Sequence, residues 1–437
     1  LGRYCDCLVF IPREAYSREL RLAIERILAN HVIGTCAAFD TRFSSSSTLA
    51  RLHFVIRKHP PLTREIDWGD IERRVRQAAV TWEDRLEQSL RERHDEVTAM
   101  ALATRYAEAF PPGYREHYSA RTAAADVAFI EEHVQADAPV MSFYRRMVAD
   151  AETVSFKLFA RDEPITLSDA IPLIENMGLR VIAEHPFELR RRDDTRVFIH
   201  EFTVEHSAAG ATATEGSGTE TAAERISEAF GKIWSGEAEN DGFNRLILAA
   251  ALEWREVVLL RALCKYLLQT GIPFSQAYMI DSLVANAPIA RLLVELFERR
   301  FDPELEDHDT TDLEERIDAA LDEVASLDED RILRAFRGLT LATLRTNLWV
   351  RDADGQRLPR LSFKLDSTRV PDLPLPRPMV EIFVYSADVE GVHLRGGRVA
   401  RGGLRHSDRR EDFRTEVLGL MKAQMVKNAV IVPVGSK

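Results

Sequence analysis

Three short motifs near the C-terminal end hold the residue types best suited to chemistry. Arg401-Gly402-Gly403 puts a cation beside two residues that let backbone approach a ligand closely. Gln424-x-x-Lys427 follows within a helical run whose apolar residues are Phe413, Val417, Leu420, Met421 and Met425. Counted from Leu420, Gln424 and Lys427 both continue the inward face. Pro433-x-Gly435-Ser436-Lys437 sets another cation just past the strand-like run Val430–Val434, where open α/β sheets place their sites. Three cations and an amide converging would suit a small dicarboxylate, one carboxylate per cation, with a lysine left for chemistry. Lysine fits that last role because burial beside other cations brings its pKa toward neutrality, whereas arginine stays protonated. A second reading of Lys427 stays open: on a last helical turn it can snorkel outward and cap carbonyls.

The charge pattern agrees with an anionic ligand at this end. The whole sequence carries −12, yet residues 391–437 hold ten Lys/Arg against four Asp/Glu, a local +6, which leaves −18 for residues 1–390. An acidic body argues against nucleic acid or an acidic membrane as whole-chain partner. The basic end has a single aromatic, Phe413, and so no platform for stacking bases. No apolar run approaches the ~18 residues a membrane span needs, and Leu1-Gly2-Arg3 opens no signal peptide. Cys5, Cys7, Cys36 and Cys264 lack zinc spacing. They read as buried or free thiols of a cytoplasmic protein, with no metal site, and C-x-C on a strand puts two of them on one face. A length of 437 residues suggests two to four domains, and a start without Met reads as part of something longer.

The elements that must position these motifs follow from periodicity. Residues 1–62 read as a βαββ module: strand Cys7–Phe10, a helix with stripe Leu20, Ile24, Ile27 and Leu28, then strands Thr35–Phe43 and Arg51–Arg57. Residues 63–150 read as helical, with Ile71, Val75, Ala78, Ala79 and Trp82 starting one helix whose apolar face Leu86, Leu90 and Val97 extend. The βαββ order returns over 151–206, where Asn176-Met177-Gly178 supplies a helix stop. Both units resemble ACT-like regulatory modules, which implies an amino-acid effector; spacers or oligomer contacts without a ligand are the alternative. Residues 207–222 have a linker's composition, and 223–345 read as helices only, with Ser275, Thr311 and Asp328 as N-caps and Glu314 completing a capping box. Strands return over 346–437, after the turn signal Asp352-Ala353-Asp354-Gly355: Leu361–Leu365, Val380–Tyr385, and a hairpin of Val392–Leu394 with Arg398–Ala400 around Gly396-Gly397. The expected fold class is α+β multidomain.

Segment 380–437, with its run VARGGLRHSDRREDFRTEVLGLMKAQMVKNAVIVPVGSK, resembles the start of the catalytic domain of glutamate dehydrogenases, in particular the large NAD-specific bacterial class. The shared pattern is cation-Gly-Gly, then Gln-x-x-Lys on a helix, then Pro-x-Gly before a lysine. The resemblance implies a homo-oligomeric enzyme that deaminates L-glutamate to 2-oxoglutarate and ammonia with NAD. It implies that Arg401 and Gly402 hold the side-chain carboxylate, that Gln424 and Lys427 hold the α-carboxylate, and that Lys437 is the catalytic lysine. Arg401 stands where the small enzymes of the family carry lysine, which keeps carboxylate binding but changes its geometry. The family's catalytic aspartate and its nucleotide-binding domain would fall beyond Lys437, so residues 346–437 would be a truncated substrate-binding domain and the chain alone inactive. The alternative is a non-catalytic amino-acid sensor or oligomerisation protein built on the two modules.

Overall fold

The computed structural model describes residues 3–13, 15–44, 47–59, 66–134, 138–144, 153–206, 219–398, 404–410 and 412–427. They fall into two units, Leu1–His133 with Phe187–Arg196, and Val134–Pro186 with Val197–Lys437.

The first unit opens with the expected strand, helix, strand, strand: β1 (Tyr4–Pro12), α1 (Arg18–Val32), β2 (Gly34–Phe43) and β3 (Leu49–Lys58). The sheet is antiparallel in the order β1-β3-β2. Ser17 caps α1 by accepting from the Leu20 backbone N–H at 3.1 Å. Leu20, Ile24, Leu28 and Val32 then face Ala50, Leu52, Phe54 and Ile56 of β3 in one small core. Gly34 follows Ile33, the left-handed cap of α1, and opens β2 so close to β3 that a Cβ would lie 2.4 Å from the Arg57 carbonyl oxygen; only glycine fits there. The Cys5 and Cys7 sulfurs lie 3.7 Å apart on the helix-facing side, and burial pushes the Cys7 thiol up to about 12, which keeps it protonated and inert.

Five helices among the described residues complete this unit: α2 (Trp68–Ala79), α3 (Trp82–Arg91), α4 (Glu96–Tyr106), α5 (Pro112–His117) and α6 (Ala120–His133). The apolar spacing from Ile71 to Val97 suggests one continuous helix. Instead Thr81 breaks it, because its hydroxyl accepts from Asp84 N–H at 3.1 Å while the Asp84 carboxylate accepts from Thr81 N–H at 2.9 Å. Val97 falls on the next helix, α4, where it is exposed. Tyr106 donates to Glu131 at 2.7 Å, and Phe187 lies edge-on to Tyr114 with ring centroids 5.3 Å apart.

The second unit holds two antiparallel sheets with helices sharing one continuous core between them. β5 (Thr153–Arg161), α7 (Leu167–Asn176), β6 (Leu179–Arg190) and β7 (Arg196–His206) repeat the βαββ order. Gly178 supplies the expected stop with a left-handed φ of +85°. A short strand, β4 (Val140–Tyr144), joins the edge to give the order β4-β5-β7-β6. It lies within the stretch read as helical, because five residues are too few for a period to declare itself.

Residues 207–218 of the expected linker lie outside the described residues, and α8 (Thr219–Trp234) begins inside that stretch. A 3-10 turn at Gly242–Arg245 precedes α9 (Leu246–Ala249), α10 (Trp254–Gln269), α11 (Gln276–Ala285), α12 (Ala287–Phe301), α13 (Thr311–Asp322) and α14 (Leu327–Ala342). Ser275 caps α11 as expected. The other two caps sit elsewhere: Thr311 is already helical, its N–H donating to Asp309 at 3.0 Å, and Ser326 rather than Asp328 precedes α14. Phe156, Leu158 and Phe202 of one sheet, Phe230 and Phe297 of the helices, and Phe363, Phe383 and Tyr385 of the other sheet are all buried in the shared core, each worth roughly 2 kcal/mol.

One group in this core is poised to titrate. Glu298 of α12 is half-buried, and burial together with the neighbouring Glu256 carboxylate pushes its pKa up to about 7. An acid whose folded pKa is raised stabilises fully only below its unfolded value, model 4.5, and that contribution is lost as pH rises through about 7. Glu298→Gln is therefore expected to raise the melting temperature at pH 8, by about 1–2 kcal/mol in stability terms, with the gain fading toward pH 5. A gain that stays constant across that range in thermal melts would count against this origin.

The second sheet runs β8 (Thr343–Thr346), β9 (Leu361–Leu365), β10 (Val380–Tyr385) and β11 (Glu390–Arg395), in the order β11-β10-β9-β8. β8 takes over directly from α14, so the stretch 223–345 is not wholly helical. Asp352–Gly355 forms the expected turn, with Gly355 at φ +77° and a bridge between Arg351 and Arg357. β11 pairs with β10 from Val380↔Arg395 to Tyr385↔Glu390, so Val392–Leu394 turns back from β10; Arg398 lies in no strand, and Val399 and Ala400 lie outside the described residues. The chain then enters α15 (Phe413–Lys427).

Candidate functional site

The helix that carries Gln424 and Lys427 lies against β11, with Leu418 and Met421 packing on Leu394 and Val392. Both site positions fall in the last turns of α15; their side chains lie outside the described part of the structure. Arg401, Gly402 and Lys437 lie outside the described residues altogether, as does the strand expected at Val430–Val434.

The buried face of α15 differs from the expected one. Its inward row is Arg414, Leu418 and Met421, whereas Phe413, Val417 and Leu420 are only partly covered. The face is rotated by roughly 60°, with Met421 common to both rows, because a buried arginine heads it. By the helical repeat, positions 424 and 427 then follow Leu420 along one flank rather than continuing the row packed on β11.

Arg414 explains the rotation. Its Nε donates to Glu381 Oε2 at 2.8 Å, and its Nη2 donates to the other carboxylate oxygen, a bidentate pair with both residues almost fully enclosed. Tyr266 of α10 donates its hydroxyl to the same Glu381 oxygen at 2.7 Å, and burial followed by the adjacent carboxylate pushes the tyrosine pKa well up, so it remains a donor. Gln269, one turn on, ties down the start of α15 twice: its Oε1 accepts from the Arg414 backbone N–H at 3.1 Å and its Nε2 donates to the Arg410 carbonyl at 2.7 Å. The segment before α15 is fastened too. Arg405 and Ser407 (2.8 Å) both donate to Glu416, and those hydrogen bonds hold its carboxyl below the usual range. Arg409 pairs with Asp412 at 2.7 Å.

A second polar cluster fixes α10 against the same sheet. Arg261, fully buried, reaches Asp241 (2.8 Å) and Asn244 (2.7 Å). Lys265 lies 3.5 Å from both Glu239 and Glu390, and Tyr385 donates to Glu239 at 2.8 Å. Arg261, Lys265 and Gln269 recur every four residues, so one polar seam on α10 meets the segment around Asp241, the start of β11 and the start of α15, while Tyr266 beside it meets β10.

None of Tyr266, Gln269, Glu381 or Arg414 stands out in the sequence by type. The available signal was positional: Glu381 sits in the same strand row as Phe383 and Tyr385, and Arg414 lies four and seven residues before Leu418 and Met421. A charge in line with a buried row announces a buried pair.

Models of protein families match along the chain. Residues 1–83 match the glutamate dehydrogenase ACT2 domain, 89–132 helical motif 2, 138–217 the ACT3 domain and 238–303 helical motif 3. Residues 316–437 match the catalytic domain of bacterial NAD-glutamate dehydrogenase. Proteins named NAD-specific glutamate dehydrogenase align with the whole chain at 46% identity in Halomonas elongata, 44% in Pseudomonas aeruginosa and 40% in Mycobacterium tuberculosis. The chain spans about a quarter of these relatives, 27% of the first two and 28% of the third. No helix among the described residues is long and apolar enough to cross a membrane. An α+β multidomain architecture, ACT, helical-motif and catalytic-domain matches, and similarity along the whole of this chain to three such relatives agree: the chain belongs to the bacterial NAD-specific glutamate dehydrogenase family.

Proposed function

We propose that the full-length protein oxidatively deaminates L-glutamate, yielding 2-oxoglutarate and ammonium as NAD and water are consumed. The observation that carries this reading is the similarity of the whole chain to relatives bearing that name, together with a catalytic-domain match that runs through every motif singled out above. Arg401, with Gly402 beside it, holds the side-chain carboxylate; Gln424 and Lys427 hold the α-carboxylate. Lys437 polarises the α-carbon centre and helps activate the attacking water. NAD, when bound, accepts the hydride from the α-carbon. No cofactor contact is assigned to residues of this chain.

Residues 1–62 and 151–206 are read as ACT-like modules that take an amino-acid effector, and 346–437 as the first part of the substrate-binding domain of a cytoplasmic homo-oligomer. A non-catalytic amino-acid sensor is the competing reading, favoured by the two βαββ units. One assay separates them. Purified full-length protein is expected to form NADH from NAD with L-glutamate, and a panel of other amino acids, each tested while L-glutamate is varied, reports an effector as a change in KM. Folded protein that forms no NADH from L-glutamate would sink the assignment.

A further inference from the structure

The helix carrying Gln424 and Lys427 is gripped at the opposite end from those residues, and the grip comes from another part of the chain. Arg414, in the first turn of α15, is 1% exposed and Glu381 of β10 is fully buried, so neither charge can be served by water. Their pairing is completed by two residues of α10, Tyr266 on the Glu381 carboxylate and Gln269 on the Arg414 backbone N–H and the Arg410 carbonyl. α10 lies in the segment that matches the helical motif, and α15 in the segment that matches the catalytic domain. At 1.5 Å rise per residue, positions 424 and 427 lie about 15 and 20 Å along the helix from Arg414.

We propose that Tyr266 and Gln269, acting with Glu381 through Arg414, are positioning residues that set where α15 presents Gln424 and Lys427 to the glutamate α-carboxylate. The proposal rests on the functional reading above. The chemistry favours positioning over bulk stability. A buried carboxylate–guanidinium pair is weak evidence for net stabilisation, but its bidentate geometry admits one orientation. Gln269 adds a constraint that no apolar residue supplies, since it fixes the backbone on both sides of the turn entering α15. The packed row behind it is short, with Leu418 and Met421 the only buried apolar residues of α15 among those described. Apolar packing alone leaves such a helix free to slide or rotate. Directional hydrogen bonds at its start do not.

The test uses the full-length protein and steady-state kinetics with both substrates varied. Gln269→Leu and Arg414→Lys are expected to raise KM for L-glutamate about 10-fold or more, with KM for NAD unchanged within about 2-fold. Tyr266→Phe keeps the ring and removes one hydrogen bond, so a rise of about 3-fold is expected. A merely structural role would lower kcat in step with the folded fraction and leave KM for glutamate untouched; that result in Tyr266→Phe and Arg414→Lys overturns the proposal. If Gln269→Leu fails to fold, those two conservative variants still decide. Wild-type protein that does not turn over glutamate brings down the functional reading itself, and the positioning role with it, whereas an active wild type with unchanged KM in the variants brings down the positioning role alone.

Discussion

Lys437→Ala in the full-length protein is expected to cut kcat for L-glutamate by about 1,000-fold, while Lys427→Ala mainly raises KM for L-glutamate by about 10- to 100-fold. The difference follows from the proposed roles. A lysine acting on the reacting centre contributes to the transition state alone, so its loss appears in kcat. A lysine holding the α-carboxylate binds ground state and transition state alike, so its loss appears chiefly in KM. Neither change should alter KM for NAD. Turnover like that of wild type in both variants would remove the basis for the site assignment, and a kcat loss confined to Lys427→Ala would exchange the two roles.

The second large effect is structural. Arg261→Ala is expected to destabilise the second unit by about 3–5 kcal/mol, because it leaves the Asp241 carboxylate without the guanidinium that reaches it at 2.8 Å. Asn244 and the Glu239 carbonyl lose a donor at the same time. The arginine is fully buried, so water cannot replace it without opening the contact between α10 and the 3-10 turn. Thermal or urea melts of the 437-residue chain report the loss directly. A midpoint within about 1 °C of wild type would mean that the cluster relaxes around the missing cation. Arg261→Met should recover part of the loss through packing but none of the carboxylate's partner.

The contrast between these two predictions reflects what was legible in the sequence. Local periodicity exposed both βαββ orders, the stop at Gly178, the cap at Ser275 and the strands Leu361–Leu365 and Val380–Tyr385, since each depends on neighbours within a few residues. It did not expose β4, too short to show a period, or the break at Thr81, where a reciprocal cap outweighs an uninterrupted apolar stripe. The turn of α15 was hidden for a different reason. Arg414 reads as a solvent-facing residue until Glu381 and Tyr266, 33 and 148 positions earlier, are brought beside it. The candidate site was therefore legible as a motif, through residues whose types match a known pattern. Its support was legible in full only in three dimensions, because a charge in register with a buried row does not say which distant residue partners it.

The grip at the start of α15 also sets an angular tolerance. A rod pivoting at Arg414 multiplies any tilt by its length, so about 4° at the pivot swings positions 424 and 427 by about 1 Å, enough to spoil a near-attack geometry. Small rearrangements of α10, too slight to disturb the core, would thus reach the proposed carboxylate grip enlarged. The hydrogen bonds of Tyr266 and Gln269 act as the bearing of that lever.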